Sequence, residues 1–436
     1  MLFNTCTAAC GLAIFSSLVS GATIPQYFEK HPFTRRGLPE ATIQKELGSL
    51  LSKKAAIFGP QDPRFDEATL RYNAFAVPKV EIVAQPGVEA DVATIVKYCN
   101  KNSIEFLTVN RAHGWTTTLN RFNGLEIDMA LLQNITIQPG HKTAVFQGGA
   151  YDGEVIDYLW DRGYVTTTGS CACVGMLGPG LGGGHGRLEG LYGLISDNMV
   201  NLNVVLADGS TVQVNSKSYT DLFWGMRGAG HNFGIVTSFE LNIYPRGPST
   251  WHYHNYIWTG DKLETVFTAL NKLHNNGSTP VGMSLEYGYI NINSTVSTTE
   301  PVLSWYFVYM GSAQDAEKLL APFNKIDSVW DESGDLPYTQ VPSIQGTGLD
   351  SPLCTDNNLG HIQATANLQV YNVTAQRQIY ELYAEKLKTY PAFNTAFVTH
   401  EGYSNKAVHE HPSDDSAFPF RSDNLLMYAL IPHLAP

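Results

Sequence analysis

The feature that most constrains this chain is a glycine-rich segment at residues 169–186, with the sequence GSCACVGMLGPGLGGGHG. Glycine permits positive φ and close approach of the backbone to a bulky ligand, and successive N–H groups of such a segment can cradle phosphate. Gly178, Gly180 and Gly183 also match G-x-G-x-x-G. A Rossmann nucleotide fold is nevertheless disfavoured, because no clean helix pattern follows the motif and Pro179 removes a donor. A glycine-rich loop without a ligand is the simpler alternative.

Composition limits the class of partner. The 436 residues are 43% hydrophobic and 16% charged, which is enough apolar material for two or three domains with their own cores. The formal net charge is −12, and an acidic surface disfavours both nucleic acid and anionic membranes. We therefore expect neither nucleic acid nor a membrane as a partner. The composition leaves the oligomeric state open.

The N-terminus resembles a secretory signal. Residues 12–19 are mainly apolar, small residues follow at 20–22, and the run is too short to span a membrane. We predict a signal peptide at residues 1–22 and a secreted protein, the alternative being a buried or disordered N-terminal segment. Four glycosylation sequons agree with secretion. They are at Asn134, Asn276, Asn293 and Asn372.

Cysteine content argues against a disulfide scaffold. Removal of residues 1–22 leaves Cys99, Cys171, Cys173 and Cys354. One disulfide is compatible with this number, but the sequence does not assign its partners. The C-x-C spacing of Cys171 and Cys173 matches neither a zinc knuckle nor a thioredoxin-type redox pair.

The hydrophobic pattern divides the chain. Residues 23–75 are a polar lead-in, and a β-α-β unit follows with strands at Val80–Ala84 and Ile104–Val109. Composition changes at 245–248, which we predict as the main domain boundary. Beyond it, alternation at Tyr287 and Tyr289 predicts a strand, and an aromatic strand and amphipathic helices follow. The second half is therefore α+β.

Several motifs in order resemble the berberine-bridge-enzyme-like flavoproteins of the vanillyl-alcohol-oxidase/PCMH superfamily. The similarity runs from about residue 80 to residue 244 and continues more weakly in the second half. The motifs are the glycine-rich segment, Tyr192-Gly193-Leu194, Ser196-Asp197-Asn198, Ala207-Asp208-Gly209, and residues 221–236 (DLFWGMRGAGHNFGIV).

This resemblance implies a fold and a cofactor. The fold is a PCMH-type FAD-binding domain at 76–247, built of two α+β subdomains, followed by an α+β substrate domain at 248–436 with an antiparallel sheet. By position, His113 matches the histidine that many members attach to the 8α-methyl group of FAD, and Cys171 matches the cysteine attached to ring carbon 6. The alternatives are a loop histidine bonded to backbone and a buried thiol.

The remaining cofactor contacts are also implied by position. The family commonly has two glycines before the attached histidine, whereas this chain has Arg111 and Ala112. The implied contacts are Asn110, Arg111, Ala112, Gly114, Gly169, Ser170, Val174, Gly175, Gly178, Gly182, Gly183, Gly186, Gly234, Ile235 and Val236.

The implied reaction is hydride transfer from an alcohol, sugar or secondary-metabolite C–H bond to FAD, which O₂ or another acceptor reoxidises. Tyr192 matches an active-site tyrosine and is the predicted base, with a core tyrosine as the alternative. Trp115 is predicted to stack on substrate, and Tyr287 and Tyr289 to line its pocket, although core packing is an alternative for both tyrosines. We expect no metal, since His409-Glu410-His411 precedes a proline and an acidic loop.

The end of the sequence departs from the family pattern. Members continue past a strand like Leu425–Ile431 into a segment that often supplies an active-site tyrosine, whereas this sequence stops at Pro436. The alternative to an enzyme is therefore a truncated, non-catalytic flavin-binding protein or pseudoenzyme.

Overall fold

A computed structural model describes residues 39–275, 277–355 and 360–433. The predicted signal peptide and the Asn276 sequon lie outside these ranges. The described chain forms three main sheets, and the helices pack between and outside them. None of the described helices combines the length and apolar character needed to cross a membrane.

The first sheet has strand order β1-β2-β4-β3. β1 is antiparallel to β2, whereas β2 and β3 both run parallel to β4. Helix Glu89–Asn102 connects β2 to β3 and buries Val92, Ile95, Val96 and Cys99, the face predicted from the 3.6-residue spacing. The strands are β1 (Ala56–Phe58), β2 (Lys79–Gln85), β3 (Phe106–Val109) and β4 (Asn123–Asp128).

The second sheet is antiparallel, in the order β5-β6-β10-β8-β9, and β7 pairs separately with β11. A hairpin at residues 206–210 joins β8 to β9, where the Asp208-Gly209 turn was predicted. The strands are β5 (Ile135–Ile137), β6 (Thr143–Gln147), β7 (Tyr164–Val165), β8 (Met199–Val205), β9 (Thr211–Asn215), β10 (Ile235–Asn242) and β11 (Tyr244–Pro245).

The third sheet contains seven antiparallel strands in the order β15-β12-β14-β13-β17-β18-β16. These strands alternate between two faces, because successive side chains of a strand point to opposite sides. The strands are β12 (Trp251–Thr259), β13 (Met283–Asn293), β14 (Ser297–Tyr309), β15 (Trp330–Leu336), β16 (Gly360–Leu368), β17 (Phe397–Tyr403) and β18 (Leu425–His433).

The two faces of the third sheet have different partners. One face buries Trp258, Trp305 and Phe307 against helices Leu263–Leu273 and Val373–Thr389 in the largest hydrophobic cluster. The opposite face carries a second cluster with Leu285, Tyr287 and Tyr403, and Leu285 and Tyr287 line a cavity shared with the first half of the chain. The sheet therefore separates a packed layer from a cavity.

The α-helices not yet given are mostly short. They are Glu40–Glu46, Phe65–Ala68, Asp152–Trp160, Leu177–Gly180, Glu189–Tyr192, Thr220–Met226, Ala313–Leu320, Val341–Ile344, Pro352–Thr355 and Lys406–Glu410. The 3₁₀ helices are Gly48–Leu50, Ala74–Ala76, Thr117–Arg121, Met129–Leu131, Ser196–Asn198, Gly230–Asn232, Gly260–Lys262, Phe323–Lys325, Tyr338–Gln340 and Pro391–Thr395.

The predicted α+β class with an antiparallel sheet in the second half is confirmed. The polar lead-in is not entirely separate from the FAD-binding half, however, because β1 completes the first sheet by pairing with β2. The predicted boundary at 247/248 falls between β11 and β12.

Candidate functional site

Three neighbouring cavities lie between the first two sheets and the face of the third sheet that is opposite its helices. An intersheet cavity of about 460 Å³ lies between the first and second sheets, and a loop cavity of about 450 Å³ surrounds residues 109–113. A sheet-face cavity of about 250 Å³ lies against β13, β17 and β18. Asn110 lines both the intersheet cavity and the loop cavity, and His113 lines both the loop cavity and the sheet-face cavity, so the three cavities follow one another in a row.

The intersheet cavity combines backbone and apolar groups from both subdomains. Thr108 on β3 faces Gly178 and residues 231–236 across it. A Cβ at Gly178 would meet no atom within 4 Å, so its backbone borders open space. His231 holds this segment through a 2.7 Å contact between its Nε2 and the Gly178 carbonyl oxygen.

Packing explains why other glycines of the segment are glycines. A Cβ at Gly186 would lie 1.7 Å from the carbonyl oxygen of Thr168, so any side chain there would displace the backbone. Gly169 donates its N–H to Asp152 Oδ1 at 3.0 Å. These residues shape the loop rather than line the three cavities, and the same is true of four further predicted contacts. Those four are Gly114, Gly175, Gly182 and Gly183.

His113 is presented by a strained turn. Ala112 before it has φ 58°, a left-handed conformation that L-residues other than glycine rarely adopt. Tyr72 stacks on the His113 ring, with 4.7 Å between the ring centroids. Burial, reinforced by the nearby Arg111 charge, lowers the pKa of His113 to about 4. The imidazole is therefore neutral at neutral pH and has a free lone pair for a nucleophilic role.

Cys171 is a free thiol beside a disulfide. The disulfide joins Cys173 to Cys354, a pairing that the sequence left unassigned, and Cys171 Sγ lies 3.6 Å and 3.8 Å from their sulfurs. Burial is the main cause that raises the pKa of Cys171 to about 11. Its sulfur is therefore protonated at neutral pH, and covalent chemistry there requires loss of that proton.

Three side chains of the third sheet face these two nucleophiles across the sheet-face cavity. Tyr287, Glu401 and Tyr428 line it together with His113, Cys171, Trp115, Ser170 and Val174. The hydroxyls of Tyr403 and Tyr428 lie near the Glu401 carboxylate and favour its ionised form. Burial raises the pKa of Glu401 above its ordinary value.

In the described part of the chain, buried polar atoms without a partner belong to three residues that border the cavities, Arg187, Asn110 and Gln345. Arg187 is buried and bonds Gln345 and Thr347, but among the described residues its Nη1 has no partner. Asn110 donates from Nδ2 to the carbonyls of Gly148 and Ala150, whereas its Oδ1 lacks a donor among the same residues. Buried polar atoms normally find partners, so this donor and this acceptor fit a polar ligand between the sheets.

Tyr192 is not brought to this site. Its ring stacks on Tyr244 at 3.7 Å between centroids, in a cluster outside the three cavities. Burial raises its pKa, which is opposite to the requirement for a tyrosinate base. The role of Tyr192 as the base therefore stays a prediction, and its position outside the three cavities does not support it. Tyr289 does not line the cavity either, but its hydroxyl hydrogen-bonds to that of Tyr287 behind it.

Sequence reasoning missed Glu401 and Tyr428. Both lie on the face of the third sheet that borders the cavity. On β17, the polar residues Thr399, Glu401 and Tyr403 occupy every second position. A carboxylate within such an aromatic strand was the available signal, because buried charge is retained where it has a partner or a function. His409 and His411 do not form a pair, since His411 faces Asp197 and Asp415.

The fold and the site together define a flavin-binding oxidoreductase. A profile described as "FAD binding domain" matches residues 80–215. The chain is 52% identical over 428 residues to FAD-linked oxidoreductase OXR2 of Pyricularia oryzae, covering 97% of this chain and 82% of that protein. It is 50% identical over 421 residues to FAD-linked oxidoreductase anuG of Penicillium roqueforti, with the same coverage.

Solved structures share the fold. A berberine-bridge-enzyme-like protein of Physcomitrella patens superposes with TM-score 0.75 at 20% identity, over 89% of this chain and 84% of that one. Glucooligosaccharide oxidase of Acremonium strictum, described with 6-S-cysteinyl, 8α-N1-histidyl FAD, has TM-score 0.71 at 20% identity, over 89% and 81%. The chain belongs to the family of FAD-linked oxidoreductases, and it shares the fold of the berberine-bridge-enzyme-like protein.

Proposed function

We propose that this protein holds FAD covalently through His113 and Cys171 and oxidises a hydroxylated small molecule in the sheet-face cavity. The observation that carries the proposal is the placement of these two nucleophiles opposite Glu401 and Tyr428 in one cavity. The substrate classes are an alcohol, a sugar or a secondary metabolite, as the resemblance implied. The cavities fit the cofactor, since an extended space ends at both candidate attachment residues.

When bound, FAD accepts a hydride from a substrate C–H bond and passes the electrons to O₂ or another acceptor. The protein must then hold the substrate and take its hydroxyl proton. Glu401 is the general base in this proposal, because it is the carboxyl group lining the cavity and burial raises its pKa above its ordinary value, while burial also raises the pKa of Tyr287 and of Tyr428. Tyr287 and Tyr428 remain protonated and donate hydrogen bonds that orient Glu401 and the substrate oxygen.

The base assignment is tested by Glu401→Gln. This change keeps the size of the side chain and removes its proton affinity, so we expect turnover to fall by about 10²–10⁴-fold. Turnover is measured by peroxide release and, separately, by dye reduction, which also distinguishes an oxidase from a dehydrogenase. The matched control is Glu332→Gln on the exposed strand β15. Unchanged turnover in Glu401→Gln, with flavin retained, would assign the base elsewhere.

The attachment assignment is tested by acid precipitation followed by peptide mass mapping. Neutral His113 has one ring nitrogen without a proton, and that nitrogen can bond to the cofactor directly. Cys171 must first lose its thiol proton. We expect Cys171→Ala to retain a single link at His113 and His113→Ala to lose that link. Cys99→Ala, which removes the buried free thiol outside the cavities, is the control and keeps both links. An unaltered adduct in Cys171→Ala contradicts the assignment.

We also propose export from the cell, as the N-terminal sequence suggested. Two observations support it: the Cys173–Cys354 disulfide is a bond favoured in oxidising compartments, and the sequon residues Asn134 and Asn372 are exposed. The test is expression of the full chain, followed by digestion of the protein with a glycosidase that removes N-linked sugars. A secreted protein whose mass falls on digestion supports the proposal. Retention of the full, unprocessed chain in the cell contradicts it.

A further inference from the structure

A cluster of histidines and carboxylates lies at the other end of the third sheet. His252 and His254 occupy alternate positions of β12 and so share a face, and Glu317 reaches them from helix Ala313–Leu320. His252 Nε2 and His254 Nδ1 lie 3.0 Å and 2.8 Å from the same oxygen, Glu317 Oε1. The two histidines are only 5% and 8% exposed. Three donor atoms therefore converge on one point near the surface.

A further side chain lies behind each of the three, and for His252 and Glu317 that contact is a hydrogen bond. His252 Nδ1 lies 2.7 Å from Asp335 Oδ1, and His254 Nε2 lies 3.5 Å from Asp331 Oδ2, both on the edge strand β15. Asn324 donates to Glu317 Oε2 at 2.7 Å. Metal-bound histidines almost always have such a carboxylate or carbonyl on the second ring nitrogen, because it fixes the tautomer and the orientation of the ring.

The charges of the cluster also favour a cation. Within the described residues, the ion pairs of Glu317, Asp331 and Asp335 involve only His252 and His254. Both nitrogens of His252 face a carboxylate oxygen. A divalent ion between the two rings and Glu317 Oε1 would balance the negative charge of these carboxylates. Arginine does this for the carboxylates of other ion pairs in the chain.

We propose that His252 Nε2, His254 Nδ1 and Glu317 Oε1 bind a divalent transition-metal ion, with Zn²⁺ as the preferred class. Two nitrogens and one carboxylate suit zinc, whereas calcium and magnesium prefer oxygen ligands. In a tetrahedral zinc site neighbouring ligand atoms are roughly 3.3 Å apart. The two nitrogens lie 3.0 Å and 2.8 Å from Glu317 Oε1, and all three atoms lie within 4.8 Å of one another, which is close to that spacing. Glu317 is 32% exposed, which leaves a solvent-facing position for water.

This cluster is the best metal candidate of the described residues. In a second cluster, Cys173 and Cys354 are already consumed by a disulfide. In a third, Asp197 and Asp415 are already paired with Arg421 and Arg227. None of the three proposed ligands lines the FAD cavities, so the ion would join β12 to a helix and stabilise the substrate domain rather than enter the redox reaction.

The experiment uses the untagged, flavin-loaded protein after dialysis against a chelator. Zinc is added back, excess is removed, and the metal content and thermal unfolding are measured; Co²⁺ is used in parallel for its visible absorption. We expect one Zn²⁺ per chain, a higher unfolding temperature and a tetrahedral Co²⁺ spectrum. Glu317→Gln and His254→Gln should weaken zinc binding at least about tenfold, as loss of a supporting group already does. Glu332→Gln, on the same edge strand, is the control.

Two results would overturn the proposal. One is a wild-type protein that takes up no zinc and gives no Co²⁺ spectrum, which would make the cluster a hydrogen-bonded network. The other is equal zinc binding by Glu317→Gln, His254→Gln and the control. If His254→Gln does not fold, Asp335→Asn keeps all three ligands and removes only the exposed support of His252, and its zinc affinity should still fall by about tenfold.

Discussion

At the residue scale, the backbone of Ala112 is strained, and its position next to His113 explains why. Its φ of 58° orients the turn that presents His113, and a left-handed conformation costs an L-residue roughly 1–2 kcal/mol. The resemblance had placed a glycine here, and the structure gives the physical reason, since glycine adopts this conformation without a Cβ clash. Local strain of this kind is stored where a loop positions a functional side chain.

Ala112→Gly should therefore stabilise the protein. We expect a gain of about 0.5–1 kcal/mol in the free energy of unfolding, measured by denaturant titration, after the entropy that glycine adds to the unfolded chain is taken into account. Ala90→Gly on the exposed face of helix Glu89–Asn102 is the control and should destabilise by a similar amount. A loss of stability in Ala112→Gly would mean that the turn is not strained.

Glu401 predicts a pH dependence with a definite sign. A general base must be unprotonated, and burial raises the pKa of this carboxyl above its ordinary 4.5. Turnover should therefore fall as pH decreases through that raised pKa, at a higher pH than for an exposed glutamate. The kcat/KM profile of the wild type should show this acidic limb, and the profile of Glu401→Gln should be flat there. An acidic limb retained by the variant would assign it to another group.

At the element scale, the residue opposite a position on the neighbouring strand limits the size of the side chain that fits there. Gly288 on β13 lies opposite Trp305 on β14, and a Cβ at Gly288 would lie 2.2 Å from the Trp305 ring. The ring fills the space above the glycine and hydrogen-bonds through Nε1 to buried Glu286. Trp305 belongs to the cluster covered by the helices, whereas Tyr287 on the opposite face of the sheet lines the cavity.

Gly288→Ala should be costly for this reason. The added methyl group forces Trp305 or the strand to move, and overpacking of this kind costs about 1–3 kcal/mol. Gly48→Ala is the control, because its Cβ would meet only an Ile57 carbon at 3.9 Å. Both are measured by urea unfolding. Equal stabilities for the two variants would contradict the close packing between β13 and β14.

Element prediction succeeded where the pattern was local. Helix Glu89–Asn102 and strand Leu425–His433 both follow from apolar spacing within a few residues. Strand β15, with the sequence WDESGDL, was missed because it is an exposed, polar edge strand without hydrophobic alternation. Its pairing with β12 supplies the regularity that its own sequence lacks.

At the scale of the whole molecule, one buried ion pair joins the FAD-binding half to the chain that leads into β18. Arg421 Nη2 lies 2.6 Å from Asp197 Oδ1, and the two side chains are 5% and 0% exposed. Phe418 packs on Leu194 beside it. Removal of one partner from such a pair is more damaging than loss of an exposed pair, since it leaves an uncompensated buried charge.

Arg421→Ala should consequently destabilise the molecule by about 3–5 kcal/mol and loosen the contact between the two halves. The exposed pair Lys406–Glu410 is the control, and Lys406→Ala should change stability by less than about 1 kcal/mol. Thermal unfolding with flavin fluorescence as a second probe measures both effects. Equal melting temperatures for the two variants would mean that Asp197 is compensated by another group.

The sequence by itself determined the family, the FAD-binding half and the two candidate attachment residues, because those signals are contiguous motifs and local periodicities. The tertiary structure alone decided that Glu401 and Tyr428 face His113, that Tyr192 does not, and that Cys173 pairs with Cys354 across 181 residues. It likewise gathered His252, His254 and Glu317. These outcomes depend on strand pairing and on which sheet face is buried, and both arise from contacts between segments far apart in the chain.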